Sequence, residues 1–147
     1  FTETFHRTLG SVAIANDLLF VADFSGVLHC LDAKKSVDGR PLVHWTHDLM
    51  AASWSTPLIA DGKVYVADED GDVAVFQLAA QKTAYAEQHF GEPIYSTPAL
   101  AHNTLFLATR SKLFAIREAD ETPARTGRNR PAESKSGVPT PLDREVP

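Results

Sequence analysis

Three stretches of this chain repeat one another. Residues 11–23 read SVAIANDLLFVAD, residues 55–68 read STPLIADGKVYVAD, and residues 96–109 read STPALAHNTLFLAT. The turn residues Asp17, Gly62 and Asn103 set the spacing, at 45 and then 41 residues. A period of this size restricts the chain to solenoids, propellers or arrays of small units. Such a unit cannot bury its own apolar faces and must bury them against its neighbours. Function is therefore to be sought on surfaces that several units build together, or in the loops between them.

Each unit reads as strands. Leu18–Ala22, Lys63–Ala67 and Thr104–Ala108 are short and apolar at nearly every position, the pattern of strands covered on both faces. Turns follow at Asp23–Gly26 and Asp68–Gly71, with glycine available for positive φ. A third strand then reads through Val27–Leu31, Val73–Phe76 and Lys112–Ile116. A fourth lies near Val43–Thr46 and Thr83–Ala86, in the first two units only. Four antiparallel strands per unit predict an all-β protein built of β-propeller blades. No 3.6-residue periodicity supports a helical solenoid. A β-sandwich would accommodate the strands but not their self-similarity.

The expected organisation is three repeats at about 11–49, 54–90 and 95–117, making residues 1–117 the blade region. Three blades do not close a ring. The start at Phe1, inside what reads as the end of a strand, and the missing fourth strand of the last unit suggest the C-terminal part of a larger propeller. Its remaining blades would then be this chain's first partners. Residues 118–147 change character: they hold five prolines, no aromatic residue and mixed charge. Such a segment buries too little apolar area to offset its ordering entropy and reads as a disordered tail. An Arg-rich contact segment is the sharper alternative.

A net charge of −5 gives no electrostatic support for a nucleic-acid partner. No apolar run approaches a membrane span, and no signal peptide is visible in the chain. Cys30 is the single cysteine, so no internal disulfide can form. On an apolar strand it reads as a small buried hydrophobe.

The run Ala22–Asp32 (ADFSGVLHCLD), leading to Trp45, resembles the repeat of the pyrroloquinoline-quinone-like (PQQ-like) β-propeller family. That unit has a small residue, a glycine-bearing turn, an apolar strand ending in Leu-Asp, then Thr-Gly and a tryptophan. The resemblance covers residues 11–116. It departs where residues 35–41 replace the Thr-Gly turn, where Gln77 stands for Asp32, and where Ser111 stands for Gly71. Removing five residues at the long turn aligns Trp45 with Tyr85. The resemblance implies a parent ring of seven or eight blades and a periplasmic or secreted setting. It also implies that the tryptophan docks on the neighbouring blade near the repeat glycine. Gly26, Asp32 and Trp45, with Gly71 and Tyr85 in the second unit, are the corresponding blade-docking positions.

Catalytic quinoprotein dehydrogenases share the architecture, and the resemblance implies for them a catalytic carboxylate, a Ca²⁺ and often adjacent cysteines. None of these is evident here, so no catalytic, cofactor or metal residue is assigned. PQQ with calcium belongs only to the alternative that the chain is a segment of such a dehydrogenase. The acidic turn Asp68–Asp72 lacks the alternating spacing and distal Glu of an EF-hand loop. His44 and His47 fall on opposite faces of a strand, and His6, His29, His89 and His102 lie in separate places without metal-motif spacing.

One face remains as a candidate contact surface. In an up-and-down blade, the loop entering the first strand and the loop joining the second and third lie on the same side of the ring. There the sequence collects Trp54, Asp68, Tyr95 and Arg110, with Asp23 and Glu69 beside them. Aromatic residues among charges suit a protein, peptide or small-ligand contact. The other reading is that Trp54 and Tyr95 pack around the central channel. The expected function is a non-catalytic binding or assembly scaffold of the cell envelope.

Overall fold

The computed structural model describes residues 5–117. The tail reading for residues 118–147 falls outside them. No helix occurs among the described residues, so none is long and apolar enough to cross a membrane. The strands are β1 (Ala13–Ala15), β2 (Leu18–Ala22), β3 (Val27–Val37), β4 (Arg40–Asp48), β5 (Leu58–Ala60), β6 (Lys63–Ala67), β7 (Asp72–Gln77), β8 (Ala84–His89), β9 (Ala99–Ala101), β10 (Thr104–Ala108) and β11 (Leu113–Arg117). They form three antiparallel sheets in simple up-and-down order: β1–β4, β5–β8 and β9–β11. These are blades 1, 2 and 3.

The repeated turn residues have one local cause. Asn16 and Asp17, Asp61 and Gly62, and His102 and Asn103 pair positive φ values of 50° and 62°, 49° and 66°, and 49° and 55°. A two-residue hairpin whose twist matches its strands needs positive φ at both positions, and Asn, Asp and Gly tolerate it best. The inner hairpin of every blade is therefore written in the sequence.

Two features differ from expectation. Residues 35–37 continue β3 and residues 40–41 begin β4, with Ser36 opposite Pro41 and Val37 opposite Arg40. What reads as a long turn is a hairpin extension, turned at Asp38 (φ 52°) and Gly39 (φ 73°). The second difference is register. Cys30 faces Trp45 and Leu31 faces Val43, leaving His44 in a bulge. In blade 2, Val75 faces Ala86 and Phe76 faces Ala84, leaving Tyr85 in the bulge. Ala86, not Tyr85, is thus the counterpart of Trp45.

The cores lie between the blades. At the seam of blades 1 and 2, Leu18, Phe20, Ala22, Leu28, Cys30, Trp45 and Leu49 meet Val64, Val66, Ala74 and Phe76. At the seam of blades 2 and 3 the buried set is Ala67, Val73, Ile94 and Leu107, with Val75, Phe90 and Phe114 against it. Near the axis the seams are stitched by the recurring Ser-Thr segments. The Ser11 N–H donates to Thr56 Oγ1 at 2.8 Å, and the Thr56 N–H donates to Thr97 Oγ1 at 2.9 Å. Each threonine hydroxyl accepts from a backbone N–H of the preceding blade, a contact that links neighbouring blades.

Candidate functional site

The segment before each inner strand is tied to the second turn of its own blade by one repeated bond. Phe24 N–H donates to Arg7 O at 2.7 Å, Glu69 N–H to Ala52 O at 2.9 Å, and Arg110 N–H to Pro93 O at 3.0 Å. This tie brings the loops of all three blades to one side and stacks their aromatic residues across the seams. Phe24 meets Trp54 edge-to-face at 5.1 Å, and Trp54 meets Tyr95 edge-to-face at 5.6 Å. The Arg7 guanidinium lies 4.5 Å from the Phe24 ring centre. Trp54 Nε1 donates to Glu69 Oε2 at 3.0 Å, which fixes the indole. Trp54 and Tyr95 remain 37% and 49% exposed. The result is a row, Arg7–Phe24–Trp54–Tyr95, that crosses all three blades beside the axis.

The structure brings Trp54 and Tyr95 together and puts Arg110 in the blade 3 loop beside them. Asp68 requires a correction. It is 2% exposed, and its Oδ1 accepts the N–H groups of Asp70, Gly71 and Asp72 at 3.0, 3.1 and 3.0 Å. Its carboxylate braces the turn and is closed to a ligand.

Asp23 holds the same place in blade 1 but has a different environment. Its Oδ1 accepts from Ser25 N–H, Ser25 Oγ and Val27 N–H, and its Oδ2 from the His6 N–H. His29 Nε2 lies 3.3 Å from Oδ2. Burial alone would push the Asp23 carboxyl up; the Ser25 hydroxyl, the Val27 and His6 N–H groups and His29 outweigh it and hold the group at about 2. For Asp68 burial wins, and its carboxyl is raised above its ordinary value. Ser25, His6 and Asp23 do not form a nucleophilic triad. Ser25 Oγ donates to Asp23 itself, and His6 approaches both through the same Nδ1.

The expected blade-docking residues separate into different roles. Trp45 is 8% exposed, sits between Phe20 at 5.8 Å and Phe76 at 5.3 Å, and donates from Nε1 to Ala79 O of blade 2 at 3.1 Å. Tyr85 is 56% exposed, with the Lys63 ammonium 5.7 Å from its ring centre. The bulge has turned it away from the seam that Trp45 fills in blade 1. Asp32 stays within blade 1: its Oδ1 accepts from Lys34 N–H and Lys35 N–H, the contacts that lower its carboxyl. Gly26 lies against the linker backbone. A Cβ built there, at φ 92°, would lie 2.2 Å from Ala51 O, and one at Gly71, φ 97°, 2.4 Å from Glu92 O. Each glycine seats the next linker's backbone. Cys30 is fully buried, and burial pushes its thiol up to about 12, as expected of an inert core cysteine.

A cavity of about 460 Å³ is lined by Phe5, His6, Arg7, Phe24 and Ser25. The tie bonds make Arg7, Ala52 and Pro93 equivalent, so His6 holds the place of Ala51 and Glu92. The cavity thus opens where the other seams seat the preceding blade's glycine turn. Sequence reasoning missed Arg7 and Phe24. The repeat was read from residue 11, although the linker ahead of it takes part in the pattern. Among the described residues, no group of three or more His, Cys, Asp or Glu side chains is placed to hold a metal ion.

A family model described as outer membrane protein assembly factor BamB matches residues 3–120. The chain belongs to this family of PQQ-like β-propellers. A BamB from Shewanella oneidensis is 36% identical over 78 residues, which cover 52% of this chain and 18% of that relative. The chain therefore spans less than a fifth of that BamB. The crystal structure of BamB from Moraxella catarrhalis superposes with a TM-score of 0.59 at 20% identity, over 74% of this chain and 33% of its own. A quinohemoprotein alcohol dehydrogenase from Pseudomonas putida HK5 superposes with a TM-score of 0.53 at 15% identity, over 68% and 16%. At such identities these two likenesses show the propeller fold and nothing of the chemistry.

Proposed function

We propose that this chain supplies blades to a larger, non-catalytic propeller that serves as a protein-binding scaffold in the cell envelope, in the periplasm or outside the cell. Membership of the BamB family supports the scaffold role. The observation that carries the reading is the row Phe24–Trp54–Tyr95, which continues across three blades with Trp54 and Tyr95 open to solvent. Partly exposed aromatic residues held by one another in loops tied to the blades are the kind of side chain that dominates protein contacts. Trp54, Tyr95 and Arg110 are the contact residues in this reading, with Arg7 and Phe24 added, while Asp68 holds the loop in shape. No observation favours the dehydrogenase reading, because the likeness to such enzymes extends to fold alone.

Site-specific photocrosslinking tests the proposal. A photoreactive residue at position 54 or 95 of the full-length protein should form discrete adducts in cells. The same residue at His102, on the inner hairpin turns at the other end of the strands, should not. Adducts at 102 with none at 54 or 95 would place the working face on the opposite side and overturn the reading.

A further inference from the structure

We infer that the aromatic row receives an extended peptide segment whose short apolar stretch is flanked by acidic residues. The inference rests on this face being a partner surface. The two edge-to-face steps of 5.1 and 5.6 Å limit the span from Phe24 to Tyr95. An extended chain rises about 3.3 Å per residue, so roughly three residues cover it. The interplanar angles of 80° at both steps leave no flat platform of the kind that sugar rings or bases stack on. They leave notches between rings, which suit alternate side chains of a strand. The indole donor is already committed to Glu69 Oε2, so the middle of the row offers apolar surface.

The charges lie at the ends. Arg7 stacks on Phe24, and its exposed guanidinium edge keeps donors for a carboxylate. Arg110 holds, in the blade 3 loop, the place that Phe24 and Glu69 hold in theirs, and it too is exposed. Among the described residues neither arginine joins an ion pair. Glu69, held by the indole between them, disfavours a further carboxylate at the centre. Cation, apolar centre, cation is complementary to acid, apolar centre, acid.

The test uses two fluorescent peptides with the same Val-Tyr-Val centre, one flanked by Glu pairs and one by Lys pairs, titrated against the full chain at low ionic strength. The Glu-flanked peptide should bind about tenfold more tightly, a preference that added salt reduces. The double variant Arg7→Glu, Arg110→Glu changes two exposed side chains and should reverse the preference. Equal binding of both peptides, or a preference unchanged in the double variant, would overturn the acidic specificity. If neither peptide binds while positions 54 and 95 still crosslink, the inference falls and the proposed partner face stands. If crosslinking fails as well, both fall.

Discussion

The two seams of this molecule are built by the same repeat and filled differently. Between blades 1 and 2, Trp45 reaches across to Phe76 and the carbonyl of Ala79, and the seam closes around it. Between blades 2 and 3, the same register position holds Ala86, on a strand exposed along its whole length. Phe90 and Phe114, in edge-to-face contact at 5.1 Å, fill part of the gap from the linker and from β11. The hydrogen-bonded frame is the same at both seams: a threonine hydroxyl near the axis and a glycine turn against the next linker. The frame thus positions the blades, and the side chains set how firmly each pair is held. A repeat can keep its geometry while its interface energies vary, as expected when stability is a sum over neighbours.

Removing Trp45 should have the largest effect. Trp45→Ala takes a buried indole out of a seam whose walls are backbone and rigid rings, at a cost of about 3–5 kcal/mol. Trp45→Phe should keep most of the packing and lose mainly the bond to Ala79, about 1 kcal/mol. Denaturant unfolding of the full chain measures both. Amide exchange separates the seams: β2, β3 and β7 should lose protection in Trp45→Ala. If Trp45→Ala matches Trp45→Phe, the indole is not what closes the first seam.

The glycine turns rank next, and here the two seams should respond alike. Gly26→Ala and Gly71→Ala each combine a strained φ, worth about 1–3 kcal/mol, with a methyl driven into a backbone oxygen that cannot move aside. Gly62→Ala also has a positive φ, at 66° closer to the ordinary left-handed region, and nothing lies within 4 Å of the added carbon, so it carries backbone strain without a clash and should cost least of the three. Melting temperatures of the three variants check this. Equal losses at positions 62 and 71 would mean that the linker gives way and that the close approach does not hold the seam.

Much of this was legible in the sequence because the repeat wrote it three times. The inner hairpin turns and the strand order follow from residues that recur, and the pair Trp54 and Tyr95 recurs in two of the three units. What was not legible depends on single insertions. A β-bulge adds one residue without any composition signal, so deleting five residues aligned Trp45 with Tyr85 when the register pairs it with Ala86. Asp68 reads as a contact-face residue from its place in the turn; its burial goes with three converging N–H groups that no linear pattern displays. Of the row's first members, Phe24 was hidden because its partner Trp54 lies thirty residues away across a seam, and Arg7 because it meets the row only through Phe24.

The smallest expected effect sharpens the same comparison through pH. His47 packs on Phe76 at 4.8 Å in the first seam, and its counterpart in the second is Gln88. Burial, and then the nearby Lys82 ammonium, push the His47 imidazole below its ordinary value, against weaker opposing pulls from Glu87 and Asp48. The folded chain therefore takes up this proton less readily than the unfolded chain. The stability that His47 contributes is present above about pH 6.5 and is lost as pH falls through the lowered value. Denaturation midpoints measured at about pH 8 and pH 5.5 should differ more for the parent chain than for His47→Phe, which removes the titration but keeps a ring against Phe76. Amide exchange should place that extra sensitivity in β4 and β7, with β10 unaffected. Lys82→Gln should narrow the parent's pH difference, because it removes one of the two causes. An identical pH dependence in parent and His47→Phe would show that the proton enters elsewhere and that the two seams differ in packing alone.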